Sequence, residues 1–321
     1  AEKMRKVLGL LLLFFVSTLV SFGQNTKPVF EVVPLGVYGG IDERNLSAYL
    51  VAPIGTKEYV CLDAGTVNSG IEKAIEKGTF SVPSSTVLRQ YIKGYCISHA
   101  HLDHVSGLII NSPADSTKTV YAIAPAMKMM QNHYFNDQTW ANFGDEGLGK
   151  PLKKYHFETL SFAKTIPISN TSMTVQAFPL SHVNPYESTA FLIKKDNNAI
   201  LYLGDTGPDA VEKTTNLADL WKAIAPLIQK QELKGILIEV SFPNEQPDAF
   251  LFGHLTPKHL MKEMQVLAAL TGNEALQKCK IIITHLKPPA AAIQKIKQQL
   301  AAPNDLGLTF VFPEQGVRME L

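Results

Sequence analysis

The run HAHLDH at positions 99–104 places three imidazoles and a carboxylate directly after an apolar segment. Side chains at i and i+2 of an extended backbone project to the same side, so His99 and His101 can hold one cation. A tight turn into a following helix would bring Asp103 and His104 to a second cation. Zinc favours this mixture of nitrogen and carboxylate ligands. The run therefore predicts a metal site at the end of a strand.

Three further polar side chains also follow apolar strand candidates. His182 comes after the segment 173–180, Asp205 after 200–204, and His285 after 281–284. Each of them alone is explained equally well as a turn residue or a structural histidine. Because strand ends are where a sheet can hold ligands rigidly, the three together with the first run favour a site for two metal ions.

Composition limits the classes of partner. The 321 residues carry 30 basic and 29 acidic side chains, a net charge of +1. This balance argues against a surface that binds duplex nucleic acid, but a small anionic substrate remains possible because a metal site supplies its own positive charge. Short β-rich segments alternate with helical ones from Pro28 onward, and no repeat or linker divides them. We expect one domain over residues 24–321.

The first 23 residues have the layout of a secretory signal peptide. Lys3, Arg5 and Lys6 precede an apolar stretch at 7–20, and small residues stand at the −3 and −1 positions before Gln24. An uncleaved membrane anchor is the alternative, although the apolar stretch is short for a span of about 20 residues. We expect an exported protein, periplasmic or secreted, without a stable membrane anchor after cleavage. Residues 1–3, ahead of Met4, are expected to be an artificial addition.

The three cysteines, Cys61, Cys96 and Cys279, are too few and too widely spaced for a disulfide framework or a thiolate zinc site. Cys61 and Cys96 lie in apolar strand-like segments, which favours buried core residues. A Cys61–Cys96 bridge is the alternative in an oxidising compartment.

The order of these motifs, HxHLDH, a strand-end histidine, Gly-Asp and a last strand-end histidine, resembles the metallo-β-lactamase superfamily. The resemblance implies an α/β fold, a four-layer αββα sandwich with the metals at one edge of both sheets. It implies that the first zinc is held by His99, His101 and His182, and the second by Asp103, His104 and His285, with Asp205 bridging both. Asp63, in the segment LDAG, matches an early aspartate expected to orient a ligand by hydrogen bonding. A turn residue ahead of a helix is the alternative.

The longer stretch at 99–113, HAHLDHVSGLIINSP, resembles the signature of class II cyclic-nucleotide phosphodiesterases. That resemblance implies hydrolysis of 3′,5′-cyclic AMP, and also cyclic GMP, to nucleoside 5′-monophosphates by two zinc ions, or other divalent metals, that bridge a hydroxide. The alternative is another hydrolase of the same fold, acting on a lactam, thioester, lactone or sulfate ester. A non-catalytic metal-binding module or a di-iron oxygen reductase is a more distant alternative.

A second motif bears on catalysis. His254, in the segment GHLT at a helix start, and Glu239 are similar to a histidine and carboxylate of the superfamily's phosphodiesterase branch. His254 is predicted to donate a proton or contact the phosphate, with Glu239 as its partner and Asp103 as a further catalytic group. The alternatives are a histidine that only bonds the helix start and a glutamate without a role in the site.

An aromatic-rich insertion between the metal run and His182 is the predicted binding site for the base. A purine could stack on its rings while an asparagine reads an edge. A packed cap without substrate contacts is the alternative. The predicted contacts are Asn132, Trp140, Asn142 and Phe143.

Overall fold

The computed structural model describes residues 27–321, so the predicted signal peptide lies outside the described part. Its strands are β1 (Phe30–Gly36), β2 (Ala48–Pro53), β3 (Tyr59–Leu62), β4 (Ile92–Cys96), β5 (Lys118–Ile123), β6 (Tyr155–Leu160), β7 (Thr165–Pro167), β8 (Thr174–Ser181), β9 (Glu187–Lys195), β10 (Asn198–Leu203), β11 (Leu233–Glu239), β12 (Lys280–Thr284), β13 (Phe310–Val311) and β14 (Met319–Glu320). Its α-helices are α1 (Asn68–Glu76), α2 (Ser84–Thr86), α3 (Leu102–Asn111), α4 (Ala124–His133), α5 (Asp209–Glu212), α6 (Asn216–Gln229), α7 (Pro257–Thr271), α8 (Asn273–Gln277) and α9 (Ala290–Ala301). A π-helical turn at Val87–Tyr91 and a 3-10 turn at Asp248–Phe250 complete the helical elements of this region.

The strands form two sheets of seven, in the orders β14-β1-β2-β3-β4-β5-β6 and β13-β12-β11-β10-β9-β8-β7. In the first sheet β1, β2 and β3 are antiparallel neighbours, and β3 to β6 run parallel. In the second sheet β7 to β10 are antiparallel, and β10 to β13 run parallel. Parallel neighbours end at the same edge, so each sheet has one edge where several strands finish together.

Side-chain alternation divides the interior into layers. In β10, Ile200 and Tyr202 join a core shared with the first sheet, whereas Leu201 and Leu203 join a second core on the other face. Buried residues of α1, α3 and α4 complete the first core, and those of α6, α7 and α9 complete the second. Helices therefore cover the outer faces of two packed sheets, which confirms the predicted αββα sandwich. The domain boundaries of 24–321 stay a prediction.

The three cysteines are buried and free. The strand register pairs Cys61 with Tyr95 and Cys96 with Leu62, so the alternative of a Cys61–Cys96 bridge is not realised. Burial raises the pKa of the Cys96 thiol, which keeps it protonated and unreactive. Within residues 27–321, none of the helices combines the length and apolar character needed to cross a bilayer.

Candidate metal centre

The residues predicted as metal ligands lie together at one edge of the two sheets. The end of β4 leads into His99 and His101, and α3 begins at Leu102, which puts Asp103 and His104 in its first turn. The second sheet supplies the remaining ligands from the residues after β8, β10 and β12. These ligands are His182, Asp205 and His285.

The first cluster consists of His99, His101 and His182, with one nitrogen of each within 4.8 Å of the others. The Nε2 atom of His182 lies 3.3 Å from the Nδ1 atom of His101. The Nε2 atom of His99 is fully buried and has no hydrogen-bond partner within the described residues. Because a buried polar atom without a partner is costly, this nitrogen fits a role in binding a cation.

The second cluster consists of Asp103, His104, Asp205 and His285. The Nε2 atom of His285 lies 3.2 Å from the Oδ2 atoms of both Asp103 and Asp205, and 3.2 Å from Nε2 of His104. The same Asp205 oxygen is 3.7 Å from the Nε2 atoms of His99 and His182. Asp205 therefore lies between the two clusters, as the resemblance implies for a bridging ligand.

The donor set fits a divalent cation. Tetrahedral zinc binds nitrogen at about 2.0–2.1 Å, which puts neighbouring ligand atoms about 3.3 Å apart. The separations of 3.2 and 3.3 Å across the two clusters match that spacing. Together with the unpartnered nitrogen of His99, this makes the cluster a candidate divalent-metal site.

Hydrogen bonds fix the ring orientation of four of these histidines. The Nδ1 atom of His104 donates to Asp63 at 2.8 Å, and that of His182 donates to the carbonyl of Gly253 at 2.8 Å. Both partners only accept, so Nδ1 carries a proton in each ring and Nε2 is the nitrogen that would face a metal. Asp63, predicted from sequence to orient a ligand, is placed where it can do so.

Two serines that sequence reasoning missed hold the other two rings. The Ser98 hydroxyl donates to Asp63 at 2.7 Å and can therefore accept from Nδ1 of His99 at 2.9 Å. The Ser241 hydroxyl lies 2.9 Å from both Glu239 and Nδ1 of His285. Each relay runs from carboxylate to hydroxyl to imidazole. Short polar residues beside predicted ligands were the only sequence signal for this role.

Electrostatics prepare most of the ligands to bind a cation. Burial lowers the pKa of His99 well below its usual range and that of His101 to about 4, so both rings are neutral. For Asp205, burial alone would raise the pKa, but His104 and His285 outweigh it and lower the pKa. Neutral imidazoles and an ionised carboxylate are the forms that bind a metal.

Glu239 and His254 form a buried pair beside the second cluster. Glu239 is the last residue of β11, and His254 lies just before α7, which begins at Pro257, directly after the segment GHLT. The His254 Nδ1 atom lies 2.7 Å from Oε1 of Glu239, and its ring stacks on His285 with centroids 5.1 Å apart. Burial lowers the pKa of His254 to about 3, and burial followed by the charge of Asp205 raises the pKa of Glu239 to about 7. The pair predicted from sequence is thus assembled at the metal centre.

The predicted base contacts are less uniform. Trp140 lines a cavity of about 640 Å³ together with Leu102 and Tyr134. Asn142 is fully buried, and its amide bonds the backbone of its own loop at Glu146, Leu148 and Gly144. This leaves the Asn142 side chain committed to loop structure rather than facing the metal centre.

The other two predicted base contacts also serve the local structure. Phe143 packs against the core with the Lys154 ammonium 5.0 Å from its ring centroid. Asn132 lines a separate cavity of about 530 Å³ beside Lys128 and His133. The structure therefore does not bring Asn132, Asn142 and Phe143 together around one ligand, and only Trp140 lies in a cavity shared with the metal-binding segment.

Sequence reasoning also missed two tyrosines at the metal centre. Tyr186 stacks on the ring of His101, with centroids 4.7 Å apart and planes 19° apart. Tyr202 donates a hydrogen bond of 2.6 Å to Asp63. Tyr202 lies in the apolar strand β10, where sequence alone shows only a core residue.

Comparison with known proteins agrees with this architecture. The family described as cAMP phosphodiesterases class-II matches residues 30–316. The chain is 42% identical to a 3′,5′-cyclic-nucleotide phosphodiesterase of Aliivibrio fischeri, over 96% of this chain and 97% of that one. It is 40% identical to a probable 3′,5′-cyclic-nucleotide phosphodiesterase of Yersinia pestis, over 96% and 94% of the two chains.

Solved structures support the fold. The structure of unliganded yeast PDE1 is similar to this chain, with a TM-score of 0.81 and 24% sequence identity. The likeness covers 92% of this chain and 100% of that one. The metallo-β-lactamase fold protein YhfI from Bacillus subtilis is similar with a TM-score of 0.61 at 14% identity, over 91% of this chain and 99% of that one. At these identities the likeness concerns the sandwich and not the reaction.

Proposed function

Because this chain belongs to the class-II cAMP phosphodiesterases, a family of hydrolases of phosphoric diesters, we propose that it uses two zinc ions to hydrolyse cyclic AMP and cyclic GMP to 5′-monophosphates. The observation that carries the metal-dependent part is the convergence of seven side chains from both sheets into two adjoining clusters. Asp205 supports two ions rather than one, since its Oδ2 atom approaches nitrogens of both clusters.

Bound zinc ions would activate a water molecule at neutral pH and neutralise the phosphoryl oxygens. The chain's own residues have three further tasks. Asp63, Ser98 and Ser241 hold the imidazoles in the orientation that presents their lone pairs. Glu239 bonds His254 at Nδ1, and its raised pKa allows its carboxyl to carry a proton and donate it to that nitrogen. The ring proton then stands on Nε2 and can pass to the departing ribose 3′-oxygen, while the Glu239 proton moves to Nδ1. Protonation of that oxygen completes cleavage to the 5′-monophosphate.

The proposal is tested with a panel of substrates, each measured with and without a chelator. We expect turnover of both cyclic nucleotides, loss of that turnover with the chelator, and no turnover of a lactam, a thioester or a sulfate ester. Metal analysis should return two equivalents of zinc. Turnover that resists chelation, or no turnover of either cyclic nucleotide, would refute the proposal in favour of another hydrolase of this fold.

The role of His254 is tested separately. His254→Ala should lower kcat for cyclic AMP by about 100- to 10,000-fold, the usual contribution of a positioned proton donor, while both metals are kept. His156→Ala is the control, because His156 lies on the surface with 58% of its side chain exposed. Loss of metal from His254→Ala would assign this residue to ligand positioning instead.

We also propose that the protein is exported and that residues 1–23 are removed. Support comes from the basic, apolar and small-residue layout of that segment. Expression in a bacterial host followed by mass spectrometry of the periplasmic fraction tests this. The expected mature protein begins at Gln24, and recovery of intact chains in the membrane fraction would favour the uncleaved anchor.

A further inference from the structure

Lys287 is a cation beside the metal centre that none of the roles above uses. It follows His285 by two residues, on the segment between β12 and α9. Pro288 and Pro289 come next, and their fixed φ angles restrict the backbone that carries the lysine. The side chain is half-buried, and within residues 27–321 its ammonium has neither an ion-pair nor a hydrogen-bond partner.

The ammonium is held on the His254 side of the centre by an aromatic contact. Its Nζ atom lies 5.8 Å from the ring centroid of Phe242. The Phe242 ring lies edge-on to His254 at 5.8 Å, and His254 stacks on the ligand His285 at 5.1 Å. Successive contacts therefore connect Lys287, through Phe242 and His254, to the second cluster. Burial is the main cause of the low pKa of His254, and the positive charge of Lys287 acts in the same direction.

We propose that Lys287 is a phosphate-binding residue, whose ammonium contacts the phosphoryl oxygens of the nucleotide from the His254 side of the metal centre. This deepens the proposed function and rests on it. The residues of the second cluster include two carboxylates, and Glu239 lies behind His254. His254 and Phe242 present an imidazole and an aromatic ring on this side, whereas Lys287 adds a fixed positive charge next to them.

The chemistry of the product strengthens the argument. Hydrolysis converts a phosphodiester with one negative charge into a monophosphate that approaches two charges at neutral pH. The ammonium makes only a weak contact with the Phe242 ring, and the four-carbon stem of lysine is flexible. The ammonium can therefore leave the ring and move to contact the phosphate. The contact should therefore favour the monophosphate product and inorganic phosphate more than the cyclic substrate.

The test uses the metal-loaded enzyme and three variants. Lys287→Met removes the charge but keeps an unbranched apolar stem on Phe242, and Lys287→Arg restores a charge. Lys297→Met is the matched control, because the Lys297 ammonium lies 5.3 Å from the Phe312 ring centroid in the same kind of contact on α9. Binding of inorganic phosphate is measured by calorimetry, and inhibition by 5′-AMP is measured together with KM and kcat for cyclic AMP.

Lys287→Met should weaken phosphate binding and product inhibition by about tenfold, as expected when a hydrogen bond between charged groups is lost. Metal content and the unfolding temperature should not change, Lys287→Arg should recover most of the affinity, and Lys297→Met should bind like the wild type. Phosphate affinity within twofold of the wild type in Lys287→Met, or an equal loss in Lys297→Met, would overturn the proposal. A wild-type enzyme without activity on cyclic nucleotides would instead refute the proposed function, and phosphate calorimetry would still decide the role of Lys287.

Discussion

Replacing Asp63 by asparagine tests how far the buried hydrogen bonds control the metal centre. The carboxylate is fully buried and accepts four hydrogen bonds. One comes from the backbone N–H of Ser98 at 2.7 Å, and the others come to Oδ2 from Ser98 Oγ at 2.7 Å, Tyr202 at 2.6 Å and His104 at 2.8 Å. Asparagine is nearly isosteric and tolerates the left-handed φ of +54° at this position, so the backbone should remain in place.

The magnitude follows from the proton balance. An asparagine placed to accept from the Ser98 N–H presents its amide nitrogen, a donor, where Oδ2 accepted three bonds. The two hydroxyls can rotate and accept, but His104 can accept only by moving its proton from Nδ1 to Nε2, the atom that faces the metal. Loss of such a partner costs 10- to 100-fold in metal affinity. That range corresponds to about 1.4–2.8 kcal/mol.

Zinc affinity is measured by equilibrium competition with a chromophoric chelator, which gives a reading independent of turnover. We expect the Asp63→Asn protein to bind the zinc ion of the second cluster, which His104 would hold, 10- to 100-fold less tightly. Activity should return at high zinc concentration. Tyr202→Phe is the matched control, because it removes one donor of Asp63 that does not contact a ligand. The reasoning would be refuted if the Asp63→Asn protein bound both zinc ions with affinities within twofold of the wild type. It would also be refuted if Tyr202→Phe lost as much zinc affinity as Asp63→Asn.

Three other substitutions have defined outcomes. Gly39→Ala would put a methyl group 2.2 Å from the imidazole of His285, a predicted metal ligand. We therefore expect elemental analysis to show one metal equivalent fewer, while circular dichroism shows that the fold is retained. Two metal equivalents in this variant would contradict the expectation. Ser241→Ala removes the hydroxyl that holds Nδ1 of His285 at 2.9 Å, and zinc affinity should fall about tenfold in the chelator competition, whereas an unchanged affinity would exclude the relay. The Lys118 ammonium lies 2.6 Å from the Asp115 carboxylate, so Asp115→Asn leaves that ammonium buried without a counter-charge. The free energy of unfolding in denaturant should fall by about 3–5 kcal/mol, while kcat of the folded enzyme is kept. A change in kcat at normal stability would contradict a purely structural role for this pair.

The sandwich was predicted from the order of the motifs, through its resemblance to a known superfamily, whereas the grouping of the ligands was predicted from local patterns. Apolar segments that end in His182, Asp205 or His285 are recognisable one at a time, and parallel strands bring their ends to one edge. The strand β6 is harder to recognise, because the polar residues Glu158 and Thr159 follow one another and interrupt its alternation. The ligand roles of these residues stay predictions until a metal is measured.

The remaining parts of the site depend on contacts between distant positions. Ser98 and Tyr202 act on Asp63 from positions 35 and 139 residues away, which no local pattern indicates. The base contacts were predicted from aromatic composition alone, and composition does not distinguish a ring that lines a cavity from one that packs, as the difference between Trp140 and Phe143 shows. Asn142 illustrates the same problem, because its buried amide serves its own loop.

Each ligand cluster draws side chains from both sheets, and this has a consequence for biosynthesis. A chain that emerges from its amino end presents His99 and His101 early, but the first cluster waits for His182 and the second for His285. An ion held by both sheets also stabilises the finished protein by about 2.7 kcal/mol when free metal exceeds its dissociation constant 100-fold. Metal uptake at the second cluster would therefore be a late event in the making of this enzyme, and a bound ion would secure the contact between the parts of the chain that were synthesised first and last.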